Sequence, residues 1–380
     1  MRFVYLFFLF LAFGGVPGFA DPSRMPLLPA GQHHSVETGF NINNPRVVRR
    51  AIKRFQQEAT QAGMRVKPLE FGWPDIEPRE GRYRLGEMRE RLRSHAENGW
   101  RPLVFLRVID SDDITIPNYL KGGKDAVSLK DIDVSAPRII ERYNVLMNEV
   151  VPLVREYGGF AILVSNEPDN FLTPNPELTG QVVSFIQAAR AHIHSIDKDM
   201  AVGVALSNGF DYDDDRDRLR GPLPHHRAII NASDIAVFNL YCQAVPVSRQ
   251  AATVRRRIAS RISAANGKHV IFQEVGCPSG GAEGFSPEHQ RNFFESYFNA
   301  IANTPVRVSV VFQLVDWTQK TIEFYGNALK PLLASEPAFR DNPDLIFVFL
   351  DQLSSIGLVD AKTGEPKPAW FEFLKELQES

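Results

Sequence analysis

Cysteine is almost missing from this chain, with two residues, Cys242 and Cys277, among 380. So few cysteines exclude a disulfide-built miniature scaffold and any zinc cluster held by four thiolates. Long apolar runs are missing as well. The longest, Phe3 to Phe13, has about eleven residues where a spanning helix needs about 20. Charge of one sign is not in excess: 43 basic residues face 45 acidic ones, a formal net charge of -2. Without clustered basic surface the chain is not expected to bind nucleic acid. The His33-His34 and His225-His226 pairs match no zinc motif, and no metal or other cofactor is expected.

What is present begins with an export pattern. Arg2 precedes the apolar run, and Gly14, Gly15 and Pro17 lead to the small-x-small triplet Gly18-Phe19-Ala20. That reads as a signal peptide over residues 1–20, too short for a membrane anchor. It predicts a secreted or periplasmic protein with a proline-rich surface segment at 21–30 and a single domain over 31–380. Loss of Arg2 moves the net charge from -2 to -3, which suits a neutral polysaccharide partner. A monomer is expected, with no stable membrane attachment.

The remainder alternates short apolar runs with longer amphipathic ones, as parallel strands joined by helices do. Strands are predicted around His34–Phe40, Arg65–Phe71, Pro102–Val108, Phe160–Ser165, Met200–Leu206, Ile235–Tyr241, His269–Gln273 and Val306–Leu314. Helices are predicted over Pro45–Gln61, Leu85–Asn98, Ala136–Tyr157, Leu178–Ser195, His225–Ala232, Ser248–Asn266, Pro287–Asn303 and Pro368–Leu377. Eight such pairs predict a (β/α)8 barrel, the TIM-barrel fold, in one domain. Three longer connections, Asp110–Val134, Ser207–Pro224 and Thr318–Asp360, each follow a strand and are expected on the catalytic face. The run Arg255-Arg-Arg257, with Arg249 and Arg261, reads as a solvated helix face. The acidic run Asp211–Asp217 lacks the glycine and glutamate of a calcium loop and reads as a solvated loop.

Two glutamates close apolar runs about a hundred residues apart. Glu167 follows Phe160–Asn166, and Glu274 follows His269–Gln273. Carboxyl groups at the carboxyl ends of different barrel strands meet around one pocket, where one can protonate a leaving oxygen and the other attack an anomeric carbon.

At these positions the sequence resembles the clan A glycoside hydrolases, the cellulase-like barrels. The motifs are Trp73-Pro-Asp-Ile-Glu-Pro-Arg-Glu-Gly-Arg-Tyr83, Ser165-Asn-Glu-Pro-Asp169, Phe238-Asn-Leu-Tyr241, Gln273-Glu-Val-Gly276, Phe312-Gln-Leu-Val-Asp-Trp317, and Gly357-Leu-Val-Asp360 with Lys367-Pro-Ala-Trp370. They occur in the clan's order over most of the chain. The resemblance implies a retaining mechanism on a β-linked glycan, with Glu167 as acid/base and Glu274 as nucleophile. It also implies Tyr241 as a hydrogen-bond donor to Glu274 and Trp317 as a platform under the sugar. Asn166 can hydrogen-bond a sugar 2-hydroxyl. Trp73 is either a second platform or core.

One departure stands out. Many relatives carry an arginine on strand two against the nucleophile, whereas this strand reads Lys67-Pro-Leu-Glu-Phe-Gly-Trp73. Arg107 at the end of strand three is the candidate replacement, its other reading being an ion pair with Asp110 or Glu70. Cys242 and Cys277 follow neighbouring strands six and seven, near enough for a disulfide; the alternative is two buried thiols. Transfer of the glycosyl group to another sugar, and a non-catalytic glycan-binding barrel, are the rival functions.

Overall fold

The computed structural model describes residues 28–380 apart from 39–44, 112, 123–127, 211, 214–217, 220, 282 and 334–349. The expected signal peptide, residues 21–27 of the proline-rich segment, most of the acidic run and the end of the first predicted strand lie outside the described residues.

Eight parallel strands form the barrel: β1 (His33–Val36), β2 (Val66–Glu70), β3 (Arg101–Asp110), β4 (Ala161–Asn166), β5 (Ala201–Leu206), β6 (Ala236–Tyr241), β7 (Val270–Gly276) and β8 (Val306–Val311). Hydrogen bonding runs from β2 through β3, β4, β5, β6, β7 and β8 to β1. The first and second strands lie side by side at the remaining seam. These strands are almost wholly buried on both faces, which is why each reads as a nearly continuous apolar run rather than an alternating one.

Between and after the strands lie α1 (Arg46–Ala62), α2 (Gly86–Glu97), α3 (Pro137–Glu156), α4 (Thr179–Ile196), α5 (Pro224–Ala232), α6 (Val247–Ala264), α7 (Pro287–Ile301) and α8 (Pro368–Glu379). Four of them begin on proline, whose missing N–H belongs to the first turn, where no intrahelical partner exists. Ahead of α7, the Ser286 hydroxyl also accepts the His289 amide at 3.1 Å. In α3, Ile139, Tyr143, Leu146, Met147, Val150 and Val154 recur at three- and four-residue spacing and are buried against the sheet.

The barrel interior is a separate apolar cluster that includes Leu103, Phe105, Leu163, Ala205, Val237, Ile271 and Val310. Gly203 on β5 completes it. A methyl group there would come within 2.8 Å of Val237 Cγ2 and 3.0 Å of Leu163 Cδ2.

Two expectations need correction. The arginine run of α6 is not uniformly solvated, since Arg257 and Arg261 are 2% and 0% exposed. Arg257 donates to the Tyr241 carbonyl at 2.8 Å, and Arg261 donates to the Asn239 carbonyl at 3.3 Å. The Arg261 guanidinium also lies 5.6 Å from the Phe210 ring centre. Arg257 and Arg261 are four residues apart, so both face inward beneath β6 while Arg255 and Arg256 face out. The Thr318–Asp360 connection is not all loop, because Gln319–Leu333 forms a helix.

Candidate active site

Glu167 and Glu274 line one cleft of about 690 Å³ at the carboxyl end of the barrel, together with Arg107, Asn166, Tyr241 and Trp317. Glu274 lies inside β7, which runs on to Gly276, and an irregularity in its pairing with β6 falls between Phe272 and Glu274. Such a shift re-aims the following side chains. Glu167 sits just past β4 with φ +48° and ψ +36°, a left-handed conformation uncommon for a residue bearing a side chain.

The two carboxyl groups have different surroundings. Glu274 Oε2 accepts the Tyr241 hydroxyl at 2.5 Å, and its Oε1 accepts the Gln273 amide at 3.1 Å. Glu167 Oε1 accepts the Asn239 amide at 2.7 Å, while Oε2 accepts Asn170 at 3.1 Å and Ser111 at 3.4 Å. Burial and then the charge of Glu274 push the Glu167 carboxyl up to about 8, against the pull of the Asn239 amide. Burial also raises Glu274, to about 7, while the Tyr241 hydroxyl and the Arg107 charge favour its ionised form. Burial and the same carboxylate push the Tyr241 phenol well above its usual range. It therefore stays a donor.

Arg107 does both things its position suggested. It pairs with Glu70 and, at 3.2 Å, with Asp110, and it also lines the cleft with its charge acting on Glu274. Two further buried groups, Glu37 and Lys67, influence each other electrostatically and were not singled out by the sequence. Burial, with the charge of Glu274, raises Glu37 to about 8, and burial lowers Lys67 on β2 to about 7.

Asn166 is buried, donating to Asp110 at 2.9 Å and accepting from Gln273 at 3.3 Å. Beyond it, Asp169 accepts the Ser207 hydroxyl at 2.7 Å and fixes the segment after Glu167 to the end of β5. Trp317 borders the cleft at 8% exposure, with Tyr325 stacked 4.8 Å from it at a tilt of 32°.

Trp73 is not a platform, because it is fully buried. Its Nε1 donates to Glu77 at 2.9 Å, its ring packs edge-on against Tyr143, and Glu77 pairs with Arg142. The Trp73–Tyr83 motif thus anchors a turn rather than a ligand. Cys242 and Cys277 are joined by a disulfide, with Cα atoms 5.0 Å apart, tying the ends of β6 and β7. Among the described residues, the one His/Cys/Asp/Glu group close enough to share an ion is these two cysteines with His289.

Asn239 was missed by sequence reasoning. The signal available was a lone amide inside the apolar run Ala236–Tyr241, two residues before the tyrosine.

No family model and no curated protein sequence matches the chain. Solved structures do. The exo-beta-1,4-mannosidase Op5Man5 from an Opitutaceae bacterium, strain TAV5, is 16% identical and superposes with a TM-score of 0.58 over 95% of this chain. The chain spans 61% of the length of that enzyme. A GH5_18 protein from Bifidobacterium longum subsp. longum, in complex with Manb1-4GlcNAc, is 13% identical with a TM-score of 0.62, covering 92% of this chain and 78% of its own. The beta-glucosidase 1317 is 13% identical with a TM-score of 0.53, covering 87% and 88%. The chain therefore shares the (β/α)8 barrel fold of these solved structures.

Proposed function

We propose that this chain is a retaining glycoside hydrolase that cleaves a β-linked glycoside outside the cytoplasm. The observation that carries the reading is the pair of carboxyl groups in one cleft with unequal surroundings. Glu274 is held toward ionisation by Tyr241 and Arg107, and Glu167 is held toward protonation by burial and by the Glu274 charge. One acid and one base at a single pH is what double displacement requires.

In the first step a Glu274 oxygen attacks the anomeric carbon as its bond to the leaving oxygen breaks, and the Glu167 proton passes to that oxygen. In the second, Glu167 takes a proton from water, the water oxygen bonds to the anomeric carbon, and the ester to Glu274 breaks. The Tyr241 hydroxyl orients the attacking carboxylate and Asn239 orients the acid. Export is supported by the Arg2 and Phe3–Phe13 pattern. Mannosides and glucosides are the first sugars to try, given the mannosidase and glucosidase among the similar structures.

The test is incubation with activated 2-deoxy-2-fluoro-glycosides of several sugars, followed by peptide mass mapping. A covalent label on Glu274 is expected. Turnover with inversion of configuration, or labelling elsewhere, would reject the mechanism.

A further inference from the structure

Arg107, Asp110, Asn166, Gln273 and Asn239 form one connected set of polar side chains around the two glutamates. Arg107 donates to Asp110 Oδ2 at 3.2 Å, and Asn166 Nδ2 donates to Asp110 Oδ1 at 2.9 Å. The Asn166 oxygen accepts two amides, Gln273 at 3.3 Å and Asn239 at 3.5 Å. Each of those amides also donates to a glutamate, Gln273 to Glu274 Oε1 at 3.1 Å and Asn239 to Glu167 Oε1 at 2.7 Å.

Irregular strand pairing brings these groups together. In a regular strand, residues an odd number apart face opposite sides. β3 slips in its pairing with β4 between Phe105 and Ile109, and β7 slips against β6 between Phe272 and Glu274. Arg107 can therefore meet Asp110, and Gln273 can meet Glu274.

The direction of each bond follows from the carboxylate at one end. Asp110, paired with Arg107, accepts and does not donate, so Asn166 turns its NH2 group to Asp110 and its oxygen to Gln273 and Asn239. Facing that oxygen, both amides present their own NH2 groups, and each has a second N–H left for a glutamate. The Asn239 oxygen is buried with no partner among the described residues, so it is the two acceptors that hold this amide the way round it is. We propose that Asp110 is a positioning residue: through Asn166 it sets the direction of three amides, so that Glu274 and Glu167 each receive an N–H rather than face a carbonyl oxygen. This rests on the roles proposed for the two glutamates.

Asp110→Asn tests the relay with little change of shape. The substituted side chain has one oxygen, which can serve Arg107 or Asn166 but not both, and the guanidinium, unable to accept, keeps it. The NH2 group then faces Asn166, whose amide turns over, and Gln273 turns its oxygen toward Glu274. Two effects on Glu274 oppose each other in this variant. Loss of the Asp110 charge favours the ionised carboxyl, and loss of the Gln273 N–H disfavours it. Tyr241 from β6, Arg107 from β3, Glu37 after β1 and Glu167 after β4 also act on Glu274, and they are the same in every protein compared.

The experiment is a double-mutant cycle of Asp110→Asn and Gln273→Leu on the full chain, read on the acidic limb of kcat/KM. With Gln273→Leu in place, Asp110→Asn acts by charge alone and should lower the limb. In the parent its displacement should lie higher than that by about one pH unit, the size of one hydrogen bond to a charged group. Equal displacements, or a lower one in the parent, overturn the proposal. If Gln273→Leu does not fold, Asn239→Ala takes its place, read the same way on the alkaline limb, since the Asp110 charge raises Glu167 and the Asn239 amide lowers it. If the parent hydrolyses none of the glycosides, the hydrolase reading fails and the cycle is read by urea unfolding instead. A midpoint that falls less in the double variant than the two single falls added sustains the relay, and additive falls overturn it.

Discussion

Tyr241 and Glu274 stand on neighbouring strands, β6 and β7, and the phenol donates to the carboxylate across 2.5 Å. The ends of the same two strands are joined by the Cys242–Cys277 disulfide, one residue beyond the tyrosine and three beyond the glutamate. The donor and the acceptor are thus held by the same two backbones.

Removing that donor tests its role. Tyr241→Phe should lower kcat/KM by about 10- to 100-fold, the equivalent of a hydrogen bond to a charged group at about 1.5–3 kcal/mol. It should also move the acidic limb of the pH profile upward, because the hydroxyl favours the ionised form of Glu274. An unchanged limb would mean that the tyrosine only fills space.

The pH profile itself is a prediction. Activity needs Glu274 ionised, which fails as pH falls through about 7, and Glu167 protonated, which fails as pH rises through about 8. A narrow bell in kcat/KM is expected, with apparent values belonging to the pair rather than to either residue. A broad plateau from about pH 5 to 10, a range reaching about two units beyond each of those values, would contradict it.

Asn239→Ala should raise the alkaline limb. Its amide favours the charged form of Glu167, so losing it makes the acid hold its proton to higher pH. The same variant should lower kcat, since Glu167 loses its shortest contact. Rate measurements from pH 6 to 10, roughly two units either side of the expected limb, check both signs.

Replacing both Cys242 and Cys277 by serine should destabilise the fold by about 2–4 kcal/mol, the usual range for a bridge closing a loop of this size. The link spans 35 residues. Denaturant titration with and without a reductant measures it, and the reduced native chain should match the double variant.

Gly203→Ala should cost about 1–3 kcal/mol, because its methyl group would enter a filled barrel interior. Urea unfolding of the purified variant checks the magnitude, and a neutral result would show that Val237 and Leu163 can give way.

The barrel was legible because its strands are buried on both faces and several of its helices open on proline, so runs such as Ala161–Asn166 and starts such as Pro137 and Pro287 are marked in the residues themselves. Each of the eight predicted strands and eight predicted helices has its counterpart. The site was legible as far as strand ends carry it, which brought Glu167, Glu274, Tyr241, Asn166, Arg107 and Trp317 to one cleft. What escaped depends on partners that leave no local mark. Arg257 and Arg261 are buried because they reach backbone carbonyls, and a carbonyl is the same in every residue. Trp73 matched a motif position, but Glu77 four residues on draws its indole inward. Glu37 follows β1 and Lys67 lies on β2, and their shared burial appears once the sheet has closed.

The backbone of Glu167 leaves one further consequence. Left-handed torsion on a residue with a side chain costs about 1–3 kcal/mol, and glycine escapes that cost. Glu167→Gly should therefore give a dead protein that melts at a higher temperature than the active one. Ser111, whose hydroxyl donates to Glu167, also has a positive φ, so two touching residues at the cleft share that conformation.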